Sequence, residues 1–197
     1  MFWFTLSLIG PFMYALTNHM DKILLEKYFK EYGVGTLILF SSFLSFLALP
    51  FLLYVDPTIL SLDLKNVLIL ILVGIINIAV LWLYLIALND DEASITVVFY
   101  QLVPVFGLLL GYIFLDEVLT KMQIISMLII IIGTSIISFE IDNENKFKLK
   151  KKTIGLMLTA ALLWAFESTI FKVVAIEENV VRSLFWEHLT LGMIGIL

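Results

Sequence analysis

Long aliphatic runs constrain this chain more than any other feature. The stretch VLILILVGIINIAVLWLYLIAL, Val67–Leu88, carries one amide, Asn77, and otherwise no charged or amide side chain. MLIIIIGTSII, Met127–Ile137, is nearly as apolar. A membrane-crossing helix needs about 20 mostly apolar residues, and it pairs its own backbone groups where water is absent. The runs lack the alternation of a barrel strand, and an open sheet would leave unpaired edges in lipid. They predict membrane helices.

Seven such runs follow one another, at about Phe2–Leu24, Val34–Tyr54, Val67–Leu88, Ser94–Leu115, Met122–Phe139, Ile154–Val174 and Leu184–Leu197. The 197 residues are 61% hydrophobic and 15% charged, with a mean hydropathy of +1.07. A soluble domain runs near 45–50% apolar and about 25% charged. The balance excludes a disordered chain, a nucleic-acid-binding domain and a soluble enzyme with a water-facing shell. Seven spans use about 140 residues, so no room is left for a separate soluble domain. Cysteine is absent, which removes disulfides, thiolate metal sites and cysteine nucleophiles. The opening MFWFTLSLIGPF has no basic n-region and reads as a first span. The last run, LTLGMIGIL, reaches Leu197 with no flanking charge, and is expected to be a helix cut short in a fragment of a longer protein. The expected fold class is an all-α integral membrane protein, a multi-spanning helical bundle.

The longest polar segment separates two units. Residues 1–140 hold five spans, residues 141–153 form a linker loop with Lys146, Lys148, Lys150, Lys151 and Lys152, and residues 154–197 hold the rest. A shift of 150 sets Tyr14-Ala15-Leu16-Thr17-Asn18 against Trp164-Ala165-Phe166-Glu167-Ser168, and Lys22 against Lys172. Asn18 and Ser168 each lie four residues before the lysine, on its helix face. An odd number of spans per repeat makes the second copy enter the membrane inverted, the plan of many secondary transporters with a midplane substrate site.

The segment ASITVVFYQLVPVFGLLLGYIFLDEVLTKMQIISMLIIIIGTSIIS resembles the signature of EamA-domain proteins in the drug/metabolite transporter superfamily, through Pro104-Val105-Phe106, Gly111, Phe114-Leu115, Glu117, Leu119-Thr120, Gln123 and Gly133. PFMYALTNHMDKILLEKYF is similar to that family's first helix. Ser126 and Asp116 depart from it, both at positions where the family commonly has glycine. The resemblance implies ten helices in two five-helix repeats, of which this chain holds one complete repeat and the start of an inverted second. It also implies a transporter of small metabolites or drug-like compounds working by alternating access. The alternative is a truncated, non-transporting membrane remnant, or a subunit needing a partner chain. A membrane-embedded enzyme is not expected, because the chain has no cysteine, no H-E-x-x-H and no Gly-rich phosphate loop.

Ionisable groups at membrane depth are costly, about 2.5–3.5 kcal/mol on insertion scales, and so usually face a cavity or a partner. Here they are His19, Asp21, Lys22, Glu167, Lys172, Glu187 and His188. Lys22 and Lys172 are near enough to helix ends to snorkel. Glu167 and Glu187 are candidates for a coupling proton. Pro104 should kink or break the fourth span and free a carbonyl. Gln101, three residues earlier, is either a cavity residue or an interhelical hydrogen-bonding one. Tyr84 is a candidate for stacking on substrate or for plain aromatic packing. The candidate cavity is thus Asn18, His19, Asp21, Lys22, Tyr84, Gln101, Pro104, Glu167, Ser168 and Glu187. Pro104, Phe106, Gly111, Glu117, Thr120, Gln123 and Gly133 are read as structural, Glu117 as a cap of the fifth helix.

The expected partners are a small-molecule substrate with a coupling proton or ion, the lipid bilayer, and either a second copy or a missing second half; no cofactor and no nucleic acid is expected. The expected location is the plasma membrane. Lys22, Lys27, Lys30 and the five linker lysines outnumber Lys65, Lys121, Lys172 and Arg182 across the membrane, which puts the N-terminus outside. The family resemblance implies the opposite orientation.

Overall fold

The structure, a computed structural model, describes residues 2–30, 32–91, 93–137, 139–141, 147–149 and 151–197. Helix α1, Phe2–Ile23, passes into a wider π-helical turn at Leu24–Tyr28. Helix α2 spans Val34–Val55 and stops because Asp56 precedes Pro57. A residue before proline is pushed to extended backbone, and Asp56 has φ −134° and ψ 97°. Helix α3, Leu64–Asp90, is 27 residues long.

The fourth span is broken, as its proline predicts. It consists of α4, Ala93–Val98, a 3-10 turn at Phe99–Leu102, and α5, Val103–Phe114. Pro104 sits in the first turn of α5, where a missing N–H costs least. The carbonyl that Pro104 leaves free, that of Tyr100, instead accepts the N–H of Val103. It does not remain open to a cavity.

Helix α6, Lys121–Ile137, starts on a reciprocal cap. The Thr120 hydroxyl accepts the Gln123 N–H at 3.3 Å while Gln123 Oε1 accepts the Thr120 N–H at 2.8 Å. Capping therefore belongs to Thr120 and Gln123, and not to Glu117. Asp116, at a position where glycine is common in the family, has φ 53°, in the left-handed region that favours glycine. Ser126 is exposed and bonds its hydroxyl to the Met122 carbonyl, so the methylene it adds meets no neighbouring helix.

Strands were expected nowhere in the spans, yet β1 (Phe139–Ile141) takes the last residue of the expected fifth span and pairs antiparallel with β2 (Phe147–Leu149) of the polar linker. Helix α7, Lys151–Glu177, begins earlier than the linker boundary at residue 153, taking Lys151, Lys152 and Thr153 into its first turn. Lys146 and Lys150 lie outside the described residues. Helix α8 covers Val180–Ile194, capped by the Asn179 side chain on the Val181 N–H.

Four stretches, Val34–Val55, Leu64–Asp90, Thr96–Phe114 and Lys151–Glu177, are each long and apolar enough to cross a bilayer. Their outward faces carry exposed apolar side chains, among them Phe43, Leu47 and Phe51 on α2 and Leu68 and Leu72 on α3. A surface of this kind is stable against lipid and not against water. The chain is an all-α, multi-spanning membrane bundle.

Packing centres on α3, which lies against both α7 and α8, while α2 lies against α8 and α5 against α7. Small residues permit the close approach. Ala160, Ala161 and Ala165 of α7 are buried, and a Cβ on Gly74 of α3 would come within 2.6 Å of the Thr190 Cβ on α8. The first turn of α7 meets the last turn of α3, through Lys152–Asp90 and Thr153–Asp91. The end of α1 meets the same turn through Lys22. Helices α1 and α7 therefore run in opposite directions.

Candidate substrate cavity

Polar residues on α1 recur as Tyr14, Thr17, Asn18 and Asp21, and on α3 as Asn77 and Tyr84, each set on one helical face. The two faces meet across a cavity of about 180 Å3, closed by Tyr100 from the 3-10 turn and Trp164 from α7. The four rings form a continuous wall. Tyr14–Tyr100 and Tyr14–Trp164 centroids are 6.0 Å apart, Tyr84–Tyr100 5.2 Å, and Tyr100–Trp164 4.8 Å in an edge-to-face contact.

One hydrogen bond fixes the polar side of the cavity. The Tyr84 hydroxyl donates to Asn18 Oδ1 at 2.8 Å, and the same hydroxyl interacts with the Asp21 carboxylate. Asn18 is 4% exposed, yet its Nδ2 has no partner, and neither does the Tyr14 hydroxyl. Buried polar atoms are almost always satisfied. The two unsatisfied groups face each other in the wall of one cavity.

A second cavity of about 340 Å3 lies between α5 and α7, lined by Pro104, Gly111, Glu117, Ser168 and Lys172 among others. Glu117 folds back on α5. Its backbone N–H bonds the Gly111 carbonyl, and a Cβ at Gly111 would lie 2.7 Å from Glu117 Oε2. The carboxylate accepts the Lys172 ammonium at 2.6 Å. Lys172 thus has a counter-ion and does not snorkel alone.

Between α3, α7 and α8 lie two buried carboxylates. Glu187 accepts the Asn77 amide at 2.9 Å, while Glu167, 4% exposed, accepts the Ser168 hydroxyl at 3.2 Å and interacts electrostatically with Glu187. Asn77 links this pair to the 180 Å3 cavity, which it also lines.

The candidate residues divide accordingly. Asn18, Asp21 and Tyr84 come together in the aromatic cavity. Pro104 and Ser168 face the cavity between α5 and α7. His19 and Gln101 are exposed and share a groove beside Ala93 and Val97, which meets the aromatic cavity at Asn18 but holds none of its four rings. Lys22 is turned away from the cavity: its ammonium donates to the Leu88 and Asp91 carbonyls, each at 2.7 Å, and pairs with Glu26 at 3.2 Å. Phe106 packs half-buried against the core, and Gly133 lines a groove with Gln101. Sequence reasoning weighs Tyr100 and Trp82 beside Tyr84 for stacking, and does not select Tyr14, Asn77 or Trp164 for the site; Trp82 is exposed and lies outside the cavity. A signal existed: Tyr14 and Trp164 are equivalent under the shift of 150, and their rings meet.

A bundle of lipid-facing helices around a polar, aromatic-walled cavity defines a multi-pass membrane protein with room for a small solute. The family model described as EamA-like transporter family matches residues 1–139, and the chain belongs to that family of membrane transporters. The match covers α1 to α6 and ends before α7. No curated protein and no solved structure matches the chain.

Proposed function

We propose that this protein carries a small metabolite or drug-like molecule across the plasma membrane by alternating access, with the aromatic cavity as its substrate site. The observation that carries the reading is the origin of the cavity walls. Tyr14, Asn18, Asp21, Tyr84 and Tyr100 come from one side of the linker, and Trp164 from the other. A site built from two units opens and closes when one unit rocks against the other.

Residues 154–197 are the start of a second, inverted repeat in this reading. The support is geometric: α1 and α7 run in opposite directions, and the equivalent residues Tyr14 and Trp164 touch at 6.0 Å. Equivalent residues meet only near the axis relating two copies. The second helices of the two units, α2 and α8, also pack on each other.

Glu167 and Glu187 are the proposed proton carriers, faced by Asn77 from α3 and flanked by His188 on α8. Reconstitution into vesicles, with uptake of labelled amines, amino acids and sugars at several pH values, tests both parts. Saturable uptake of one class, lost in Tyr84→Ala, is expected; uptake equal to protein-free vesicles for every class refutes transport. Glu167→Gln should flatten the pH dependence of that uptake, and an unchanged profile removes Glu167 from coupling.

A further inference from the structure

We infer that the aromatic cavity selects a small organic monocation, an ammonium bearing one oxygen able to hydrogen-bond. The inference deepens the transport reading and rests on it for the role of the cavity.

Three features combine. First, four aromatic rings, Tyr14, Tyr84, Tyr100 and Trp164, enclose one side of the 180 Å3 space with centroids 4.8–6.0 Å apart. Ring faces and tyrosine oxygens attract an alkylated ammonium, which is too weakly hydrated to be held back by water. Second, the cavity contains one carboxylate, Asp21, and no cation. Among the described residues no lysine, arginine or histidine pairs with Asp21; its neighbour Lys22 is committed to the Leu88 and Asp91 carbonyls and to Glu26. A carboxylate in a cavity wall without a protein counter-ion calls for a cation brought by the ligand. Third, Asn18 Nδ2 and the Tyr14 hydroxyl face each other in the same wall without closing a hydrogen bond of normal geometry, and neither has another partner. Asn18 Nδ2 can only donate, so the ligand must also present an acceptor oxygen.

The charge balance narrows the class. One carboxylate is matched by one positive charge, so a zwitterion would bring a second carboxylate with no cation to receive it. An anion is excluded on the same ground.

The test uses the full chain in lipid nanodiscs, with binding followed by calorimetry. Three probes of nearly equal shape separate the alternatives: choline, its neutral isostere with a tert-butyl group in place of the trimethylammonium, and glycine betaine. Choline should bind at least about tenfold more tightly than either of the others. Asp21→Asn should lower choline affinity to that of the neutral isostere and leave the isostere unchanged, which a collapsed site would not do. Trp164→Leu, which keeps the charge, should reduce the choline preference by a smaller factor. Equal binding of choline and the isostere overturns the inference, as does tighter binding of betaine, a choline affinity indifferent to Asp21→Asn, or no choline binding. Vesicle uptake separates the two readings. Choline bound but never transported refutes the carrier and keeps the cation site; uptake of another class of solute refutes the cation site and keeps the carrier.

Discussion

Both ends of the bundle carry side-chain pairs, and they differ in how the equivalent lysine is held. At the end where α1 and α3 finish and α7 begins, three side chains converge on the last residues of α3 and the turn after them. Lys22 donates to the Leu88 and Asp91 carbonyls, Lys152 pairs with Asp90, and the Thr153 hydroxyl bonds the Asp91 carboxylate. At the opposite end Arg182 pairs with both Asp56 and Glu178, Asn66 donates to Glu178, and Lys172 pairs with Glu117. The equivalent lysines of the two units thus have unlike roles. Lys22 is 16% exposed and held by backbone oxygens at a helix C-terminus, where unpaired carbonyls and the dipole favour a cation. Lys172 is 52% exposed and holds a carboxylate. Backbone oxygens cannot move without unwinding α3, whereas a carboxylate can exchange its partner.

The largest expected effect comes from Lys22→Met, which keeps the stem and removes the ammonium. It deletes two charge-assisted bonds to the Leu88 and Asp91 carbonyls, at a cost of about 2 kcal/mol. Thermal unfolding in detergent should show a midpoint several degrees lower, little changed by salt. A midpoint within a degree of the parent would dissolve the contrast between the two ends.

Glu117→Gln should do less. The pair is half-exposed, so its worth is below about 1 kcal/mol and falls with salt. Unfolding at low and at high salt should bring the Glu117→Gln and parent curves together, and the exchange of Glu117→Lys with Lys172→Glu should recover the parent midpoint. A loss as large as that of Lys22→Met would show that both ends are equally anchored.

Acid should loosen the Arg182–Asp56 contact. The Thr58 hydroxyl and the Arg182 guanidinium hold the Asp56 carboxyl below its ordinary value of 3.8, at about 2. A carboxyl lowered in the fold stabilises above its unfolded value, and that contribution is lost as pH falls through the window from about 4 to about 2. Midpoints measured down that window should fall more steeply in the parent than in Asp56→Asn, which has no charge to lose there. Parallel curves would mean that the Arg182–Asp56 contact carries no linkage.

What the sequence makes legible is what local chemistry decides. Apolar runs longer than a bilayer needs become α2 and α3, and Pro104 breaks the fourth span because it lacks an N–H. The T-x-x-Q spacing of Thr120 and Gln123 was available as a capping box, but Glu117 drew the capping role because it opens the same turn. The cavity is harder to read because its walls are long-range. Asn18, Asp21 and Tyr84 stand out as polar groups at membrane depth. Tyr100 and Trp164 look like any membrane aromatic until two helices 64 residues apart in sequence bring them to 4.8 Å. His19 and Gln101 show the converse: ionisable or amide character marks a residue, and only the rotation of its helix decides which way it faces.

The smallest effect concerns the turn that carries Glu117 to Lys172. Asp116 sits at φ 53°, where an L residue is opposed by its own Cβ at roughly 1 kcal/mol, less for aspartate than for a branched side chain. Asp116→Gly removes that opposition but also gives the unfolded chain more freedom, so the net gain is under about 1 kcal/mol. The midpoint should rise by a degree or two, and the salt response of the Glu117–Lys172 pair should persist, because the turn already has the geometry glycine prefers. A fall in midpoint would show instead that the Asp116 side chain supports the turn. The Lys172 end would then depend on a local contact as well as on its ion pair, which narrows its difference from the Lys22 end.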